Sequence, residues 1–365
     1  MFETVATELP RILACNGSIL LGGQKPPSND DPTARDEGIA AHWLIEQAYN
    51  GRTVEIGTKA PNGITITHAI TASVVDFTQH ILSRKFRQNS RHGFEHDCIL
   101  VASNEWRISC RPDFWSFTES ILEIDDFKHG FRIVEPQNNW TMIAYALALE
   151  NELTAAGIYV SNIVLRIHQP RVPHPAGTVR EWRLTADELR NFYEYLDHTL
   201  RNLSNTLNTG PQCDKCPNVT ICPAVRTASF NAVDVSLTAH SENMQDDTIG
   251  KELEILTDAE KRIKARKKQL EDLAIYRMKQ GAIIPNYALE RSFGNNVFKD
   301  DFAPEFLSAM LGVDVTKKDV ITPAQAVKAG ASEQLVKTFS TRKETGLKLT
   351  RANANDRATR MFGRK

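Results

Sequence analysis

Three groups between Arg111 and Gly130 have the types and spacing to do chemistry: an acid directly after a proline (Pro112-Asp113), a second acid at Asp126, and a lysine two residues beyond it, Lys128. The apolar and aromatic residues around them (Ile108, Cys110, Phe114, Ile121, Ile124, Phe127) predict two short strands joined by a tight turn near Glu119 and Ser120. Side chains alternate along a strand, so Asp126 and Lys128 share a face and Asp125 points to the other. The hairpin brings Asp113 within reach of that pair. Two neighbouring carboxylates repel unless a cation lies between them, and a hard divalent metal suits them. Such a metal polarises a phosphate oxygen and lowers the pKa of its bound water, while the lysine steadies the charge that builds during attack. That chemistry is metal-assisted phosphodiester hydrolysis. An ordinary hairpin with a surface ion pair between Asp126 and Lys128 has the same pattern.

A second group is sulfur-rich. Cys213-x2-Cys216-x5-Cys222 sets three thiols within ten residues, and Pro217, Asn218 and Pro223 hold the segment out of regular structure. Thiolates this close need a soft metal, either zinc or an iron–sulfur cluster. Such a site requires a fourth ligand, and Cys15 is the candidate. Cys98 and Cys110 alternate with apolar residues in predicted strands and read as buried free thiols.

Pro112-Asp113 followed by Asp126-x-Lys128 resembles the PD-(D/E)XK nuclease superfamily. One cysteine before this core and three after it resemble its RecB-like branch with a four-iron, four-sulfur cluster, which includes AddB-type and CRISPR-adaptation nucleases. The whole chain looks like a phage-encoded exonuclease-like family of that branch. The resemblance covers about residues 9–225. It implies an α/β restriction-endonuclease-like core, a central mixed sheet flanked by helices. It also implies a metal-dependent DNA exonuclease acting on duplex ends or single strands in phage recombination, repair or processing, with a single-strand annealing protein as a partner. Gly38-Ile39-Ala40-Ala41-His42 looks like the branch's histidine motif. The implied ligands of Mg2+ or Mn2+ are therefore His42, Asp113, Asp126 and the carbonyl of Phe127, with Lys128 as the catalytic lysine. The implied cluster ligands are Cys15, Cys213, Cys216 and Cys222, in a structural role that pins the two ends of the domain; zinc is the rival occupant. The branch's Gln-x3-Tyr motif falls on Thr141 and Tyr145, with threonine in place of glutamine. Arg111 stands where the branch has glycine, either touching phosphate or ending a strand in solvent. A non-catalytic DNA-binding or assembly module stabilised by a metal cluster is the other reading.

These groups need elements to hold them. Apolar spacing predicts helices from near Gly38 to Tyr49, from Thr67 to Gln88 and from Asn138 to Leu149, and another over Thr185–Asn205 opened by a Thr185-x-x-Glu188 capping box. Strands are expected over 94–102, 105–110, 114–117, 121–128 and 158–167. Residues 22–36 read as a loop. At 365 residues the chain is long enough for two domains or three. The expected division is 1–228 for the nuclease domain, 229–250 for a linker and 251–365 for a mainly helical α+β extension. That extension holds a long charged helix over 253–280, a strand or hairpin over 283–298, short helices, and a basic, polar tail from Thr341. The basic run Lys261 to Lys268 reads as a solvated helix face or a phosphate contact. A net charge of −1 confines any DNA-binding surface to a local patch. No apolar run is long enough for a bilayer, and the N-terminus lacks the basic and apolar regions of a signal peptide. A cytoplasmic, reducing setting is the expectation, with no membrane partner.

Overall fold

A computed structural model describes residues 2–23, 27, 32–103, 105–237, 246–298, 303–311, 322–328 and 332–351. The chain divides into one unit of Met1–Lys25 and Pro32–Arg266 and a second of Pro26–Asp31 and Lys267–Lys365.

In order, the first unit contains β1 (Phe2–Val5), α1 (Leu9–Ala14), α2 (Thr33–Tyr49), α3 (His68–Lys85), β2 (Arg91–Phe94), β3 (Cys98–Ala102), β4 (Trp106–Cys110), β5 (Phe114–Thr118), β6 (Ile121–Phe127), α4 (Trp140–Ala155), β7 (Asn162–His168), β8 (Val179–Thr185), α5 (Ala186–Arg201) and α6 (Pro223–Leu237). Next comes α7 (Asp246–Lys279), within which the division after Arg266 falls. The second unit goes on with β9 (Tyr287–Phe298), α8 (Ala303–Leu311), α9 (Pro323–Lys328), α10 (Glu333–Phe339) and β10 (Ser340–Arg351).

The architecture is mixed α/β. A five-stranded sheet has the order β2-β5-β6-β7-β8 and a three-stranded one the order β1-β4-β3. Glu119 and Ser120 both have positive φ, 53° and 67°, as two-residue hairpin turns of the primed types require. They set the antiparallel register that places Phe114 opposite Asp125. β6 and β7 run parallel, so the chain must cross over between them, and α4 is that crossover. Asn139 caps α4 by accepting from Thr141 N at 3.1 Å. Over residues 142–149 this helix is apolar on nearly every side because it is enclosed there, by β3 and β4, by β6, and by α1 and α5. On the other face of the large sheet, Phe114 and Phe127 join Ile45, Ile70, Phe77 and Ile81 of α2 and α3 in a separate core.

The expected strand over 94–102 is two strands in two different sheets. Glu95 takes φ 47° just after Phe94 and turns the chain out of the large sheet, so β3 pairs with β4 instead. Two further strands, β1 and β8, have no counterpart in the expectations; β8 precedes the capping box, which forms as read. α2 starts at Thr33, inside the expected loop. The expected linker over 229–250 is helical in α6 up to Leu237 and in α7 from Asp246, and residues 238–245 lie outside the described set. In the second unit Leu307, Ala326 and Val336 form a small core. The run over 283–298 makes no hairpin with itself; β9 pairs antiparallel with β10, in the stretch read only as a basic tail.

Candidate metal centre

Pro112 has no N–H to donate, and the chain leaves β4 there. Asp113 follows one residue before β5. Its Oδ2 accepts the backbone N–H of Phe127 at 2.7 Å, and its carbonyl accepts from Glu95 N at 2.9 Å. One acid thus ties the ends of β2, β5 and β6 together. From α2, His42 brings Nδ1 to 3.7 Å from Asp113 Oδ1 and 3.5 Å from Glu95 Oε1. The Phe127 ring meets the His42 imidazole edge-on and fixes its plane. His42, Glu95 and Asp113 form one of two groups among the described residues whose ligand atoms all lie within 4.8 Å of one another.

Asp126 is 3% exposed and faces the same space as Asp113. Lys128 Nζ stands 2.9 Å from its Oδ1 and 2.8 Å from its Oδ2. Burial, then the charge of Asp126, pushes the Asp113 carboxyl up to about 7; His42, Lys128 and the Phe127 N–H oppose this and do not cancel it. For His42, burial pulls its pKa down, but Asp113, Glu95 and Asp126 together raise it. Lys128 is likewise raised by Asp126 and Asp113 against the effect of burial, so its ammonium stays charged. Tyr145 on α4 has its phenol pushed up by burial and then by Asp126 and Asp113, which keeps it a donor at neutral pH. The site is an excess of carboxylate partly balanced by one lysine.

Arg111 does not point into this group. Its Nε lies 3.0 Å from Glu95 Oε2 and 3.6 Å from Asp97 Oδ1, so it braces Glu95 from outside. Beside Asp126 and Lys128 opens a groove of about 640 Å³ that also takes in Arg11, Arg132, Asn139, Thr141, Gln212 and Lys215. Thr141 Oγ1 leans on Ala6 O at 3.5 Å.

Cys15, Cys213, Cys216 and Cys222 are buried and line one cavity with Leu21, Leu207, Val219 and Val225. Asn208 N donates to Cys15 Sγ at 3.3 Å and Gly210 N to Cys213 Sγ at 3.5 Å. Burial, reinforced by neighbouring sulfurs, pushes the Cys213 and Cys216 thiols up. Gly17 N donates to Thr206 O at 3.0 Å, and Gly23 N donates to Asn218 Oδ1 at 2.6 Å. The start of the unit is thereby fastened to the cysteine segment. Cys98 and Cys110 lie apart from it, buried and directly opposite each other in β3 and β4.

A family model described as "Protein of unknown function (DUF2800)" matches residues 110–344. The chain belongs to the DUF2800 family. The matched span of this DUF2800 protein takes in Asp113, Asp126, Lys128, Tyr145 and the three clustered cysteines. It starts after His42, Glu95 and Cys15. A solved structure, of SSO0001, is similar over 60% of this chain and 96% of its own, at 16% identity and a TM-score of 0.24, too loose a match to carry an argument. No curated protein matches the sequence.

Sequence reasoning missed Glu95 because a strand read straight through 94–102 hides it. An acid at the exit of a short strand, one hairpin before Pro112-Asp113, is the signal that could have found it. Glu46, one helical turn from His42, is exposed. Among the described residues no helix is long and apolar enough to cross a membrane.

Proposed function

We propose that this DUF2800 protein is a divalent-metal-dependent deoxyribonuclease with a PD-(D/E)XK core of the RecB-like branch. The supporting observation is the convergence of Asp113, Asp126, Glu95 and His42 beside Lys128 at one end of β5 and β6, with Asp113 pushed up by burial and then by the charge of Asp126. Carboxylate oxygens with one imidazole suit Mg2+ or Mn2+. His42, Asp113 and Asp126 would hold the ion, with Glu95 beside them and the Phe127 carbonyl as a further ligand. When bound, the ion polarises the scissile phosphate and lowers the pKa of a water. Lys128, freed from Asp126, donates to a phosphate oxygen and stabilises the charge that develops there. Tyr145 donates its phenol towards the same space. Arg132, Lys215, Asn139 and Thr141 offer the groove as a track for one DNA strand, and the exonuclease reading rests on resemblance alone.

The cysteines support a structural cluster. Four buried thiols lining one apolar cavity, two of them accepting backbone N–H donors, suit a four-iron, four-sulfur cluster, with zinc as the rival. Brown protein purified without oxygen is expected, and colourless, zinc-loaded protein overturns the cluster.

The deciding experiment incubates linear duplex and single-stranded DNA with the full chain and Mg2+ or Mn2+, wild type against Lys128→Ala. Degradation by the wild type, reduced at least about 100-fold in the variant, is expected. Absent or equal degradation by both proteins with either metal overturns the enzyme and leaves a non-catalytic DNA-binding module as the reading.

A further inference from the structure

The second close group of ligand atoms lies on the opposite face of β6. Asp125 is fully buried, and its Oδ1 stands 2.8 Å from His168 Nε2 and 3.0 Å from His80 Nε2. The three residues come from β6, β7 and α3, and all three ligand atoms lie within 4.8 Å of one another. Only the His168 contact has the direction of a hydrogen bond. His80 Nε2 and Asp125 Oδ2 are buried with no hydrogen-bond partner. His80 Nε2 thus stands close to Asp125 Oδ1 without a hydrogen bond to it, and the second carboxylate oxygen is left without a partner.

We propose that His80, Asp125 and His168 form a second metal site, specific for a transition-metal ion of the zinc class and separate from the site at Asp113. The proposal does not rest on the nuclease reading. Two imidazole nitrogens and one carboxylate oxygen are a zinc donor set with a fourth position left for water; Mg2+ and Ca2+ prefer oxygen ligands throughout. Ligand atoms about 2.0–2.1 Å from a tetrahedral zinc stand about 3.3 Å apart. The observed 2.8 Å and 3.0 Å therefore need to open by only a few tenths of an ångström.

The surroundings fit that assignment. Arg166 Nη1 lies 3.6 Å from Asp125 Oδ1 without a hydrogen bond. Its other nitrogens donate to Glu123 at 2.9 Å and Glu181 at 2.6 Å, and those two acids balance its charge. The Phe77 ring meets His168 edge-on and steadies it. His80, with 20% of its side chain exposed, is the entry side. An ion here would tie α3 to the two central strands and stiffen the strand that carries Asp126.

The test uses the full chain in an Asp113→Asn/Asp126→Asn background, which removes the first site and leaves all cysteines in place. Protein equilibrated with Zn2+ and desalted is measured by metal-specific mass spectrometry, with and without His80→Gln. The expected result is one zinc equivalent fewer in the His80→Gln protein, with cysteine-bound metal the same in both. Equal zinc in the two proteins overturns the site. A second reading needs no further variant: Zn2+, and not Mg2+, should raise the thermal midpoint of the background protein after its cysteine site has been loaded. No shift with Zn2+ overturns the proposal.

Discussion

Two faces of one strand handle the same side chain in opposite ways. On the α3 side, Asp125 sits among nitrogen atoms, His168 and His80 at 2.8 Å and 3.0 Å and Arg166 behind them, and its carboxylate is favoured. On the α4 side, Asp126 shares its space with Asp113, and one lysine serves both. The first face is compensated by the protein itself. The second buries two acids together, and burial followed by the charge of Asp126 raises Asp113 to about 7. Strand alternation alone separates the two settings, because neighbours in the chain project to opposite sides. A fold can thus hold a lowered carboxyl and a raised one, Asp125 and Asp113, on opposite faces of one hairpin.

The sharpest way to break this comparison is to neutralise each acid in turn. Asp113→Asn should cost at least about 1000-fold in metal-dependent DNA degradation while the urea midpoint at neutral pH holds or rises, because the repulsion with Asp126 has gone. Asp125→Ala should do the reverse in kind. Removing one member of a buried charged group costs about 3–5 kcal/mol, read by urea denaturation. If both variants behave alike, the two faces do not differ as described.

Titration sharpens it further, because the signs are opposite. Asp113 has a folded pKa above the ordinary carboxylate value. Its contribution is fully present below about pH 4 and is lost as pH rises through about 7. Metal-free protein in chelator should therefore lose stability over that window, and Asp113→Asn should flatten the slope. The folded pKa of Asp125 is depressed, so its contribution is present above the ordinary carboxylate range and lost as pH falls below it. Chelated protein followed by urea midpoints from pH 3 to 8 checks both limbs. The smallest effect is a control far from either face: Thr185→Ala, which removes the α5 cap, should cost about 1 kcal/mol with DNA degradation unchanged.

What could be read from the chain in advance was whatever depends on near neighbours. The Glu119-Ser120 turn, the parity that sends Asp125 and Asp126 apart, the cap at Thr185 and the apolar α4 helix all follow from residues a few positions apart. The pairing of Asp113 with the Asp126 face followed because one hairpin joins them. What stayed hidden depends on distant partners. β1 is four residues whose strand character comes from lying parallel to β4. Glu95 was concealed by a change of sheet that composition does not mark. His80 lies inside the helix expected over 67–88 and His168 just past the strand expected over 158–167; only the packing of α3 against the sheet makes them a group. The helical character of 229–237 and 246–250 was hidden because polar residues are also what an exposed helix carries.

The fastening of residues 17–23 to residues 205–218 has a consequence for synthesis. Gly23 meets its partner Asn218 across 195 residues of chain. A ribosome adding about 5–20 residues per second needs about 10–40 seconds to bridge that gap. For that interval the first helix and Cys15 lack their closing contacts, so the latch of this unit can close only after the strands of both its sheets have been made.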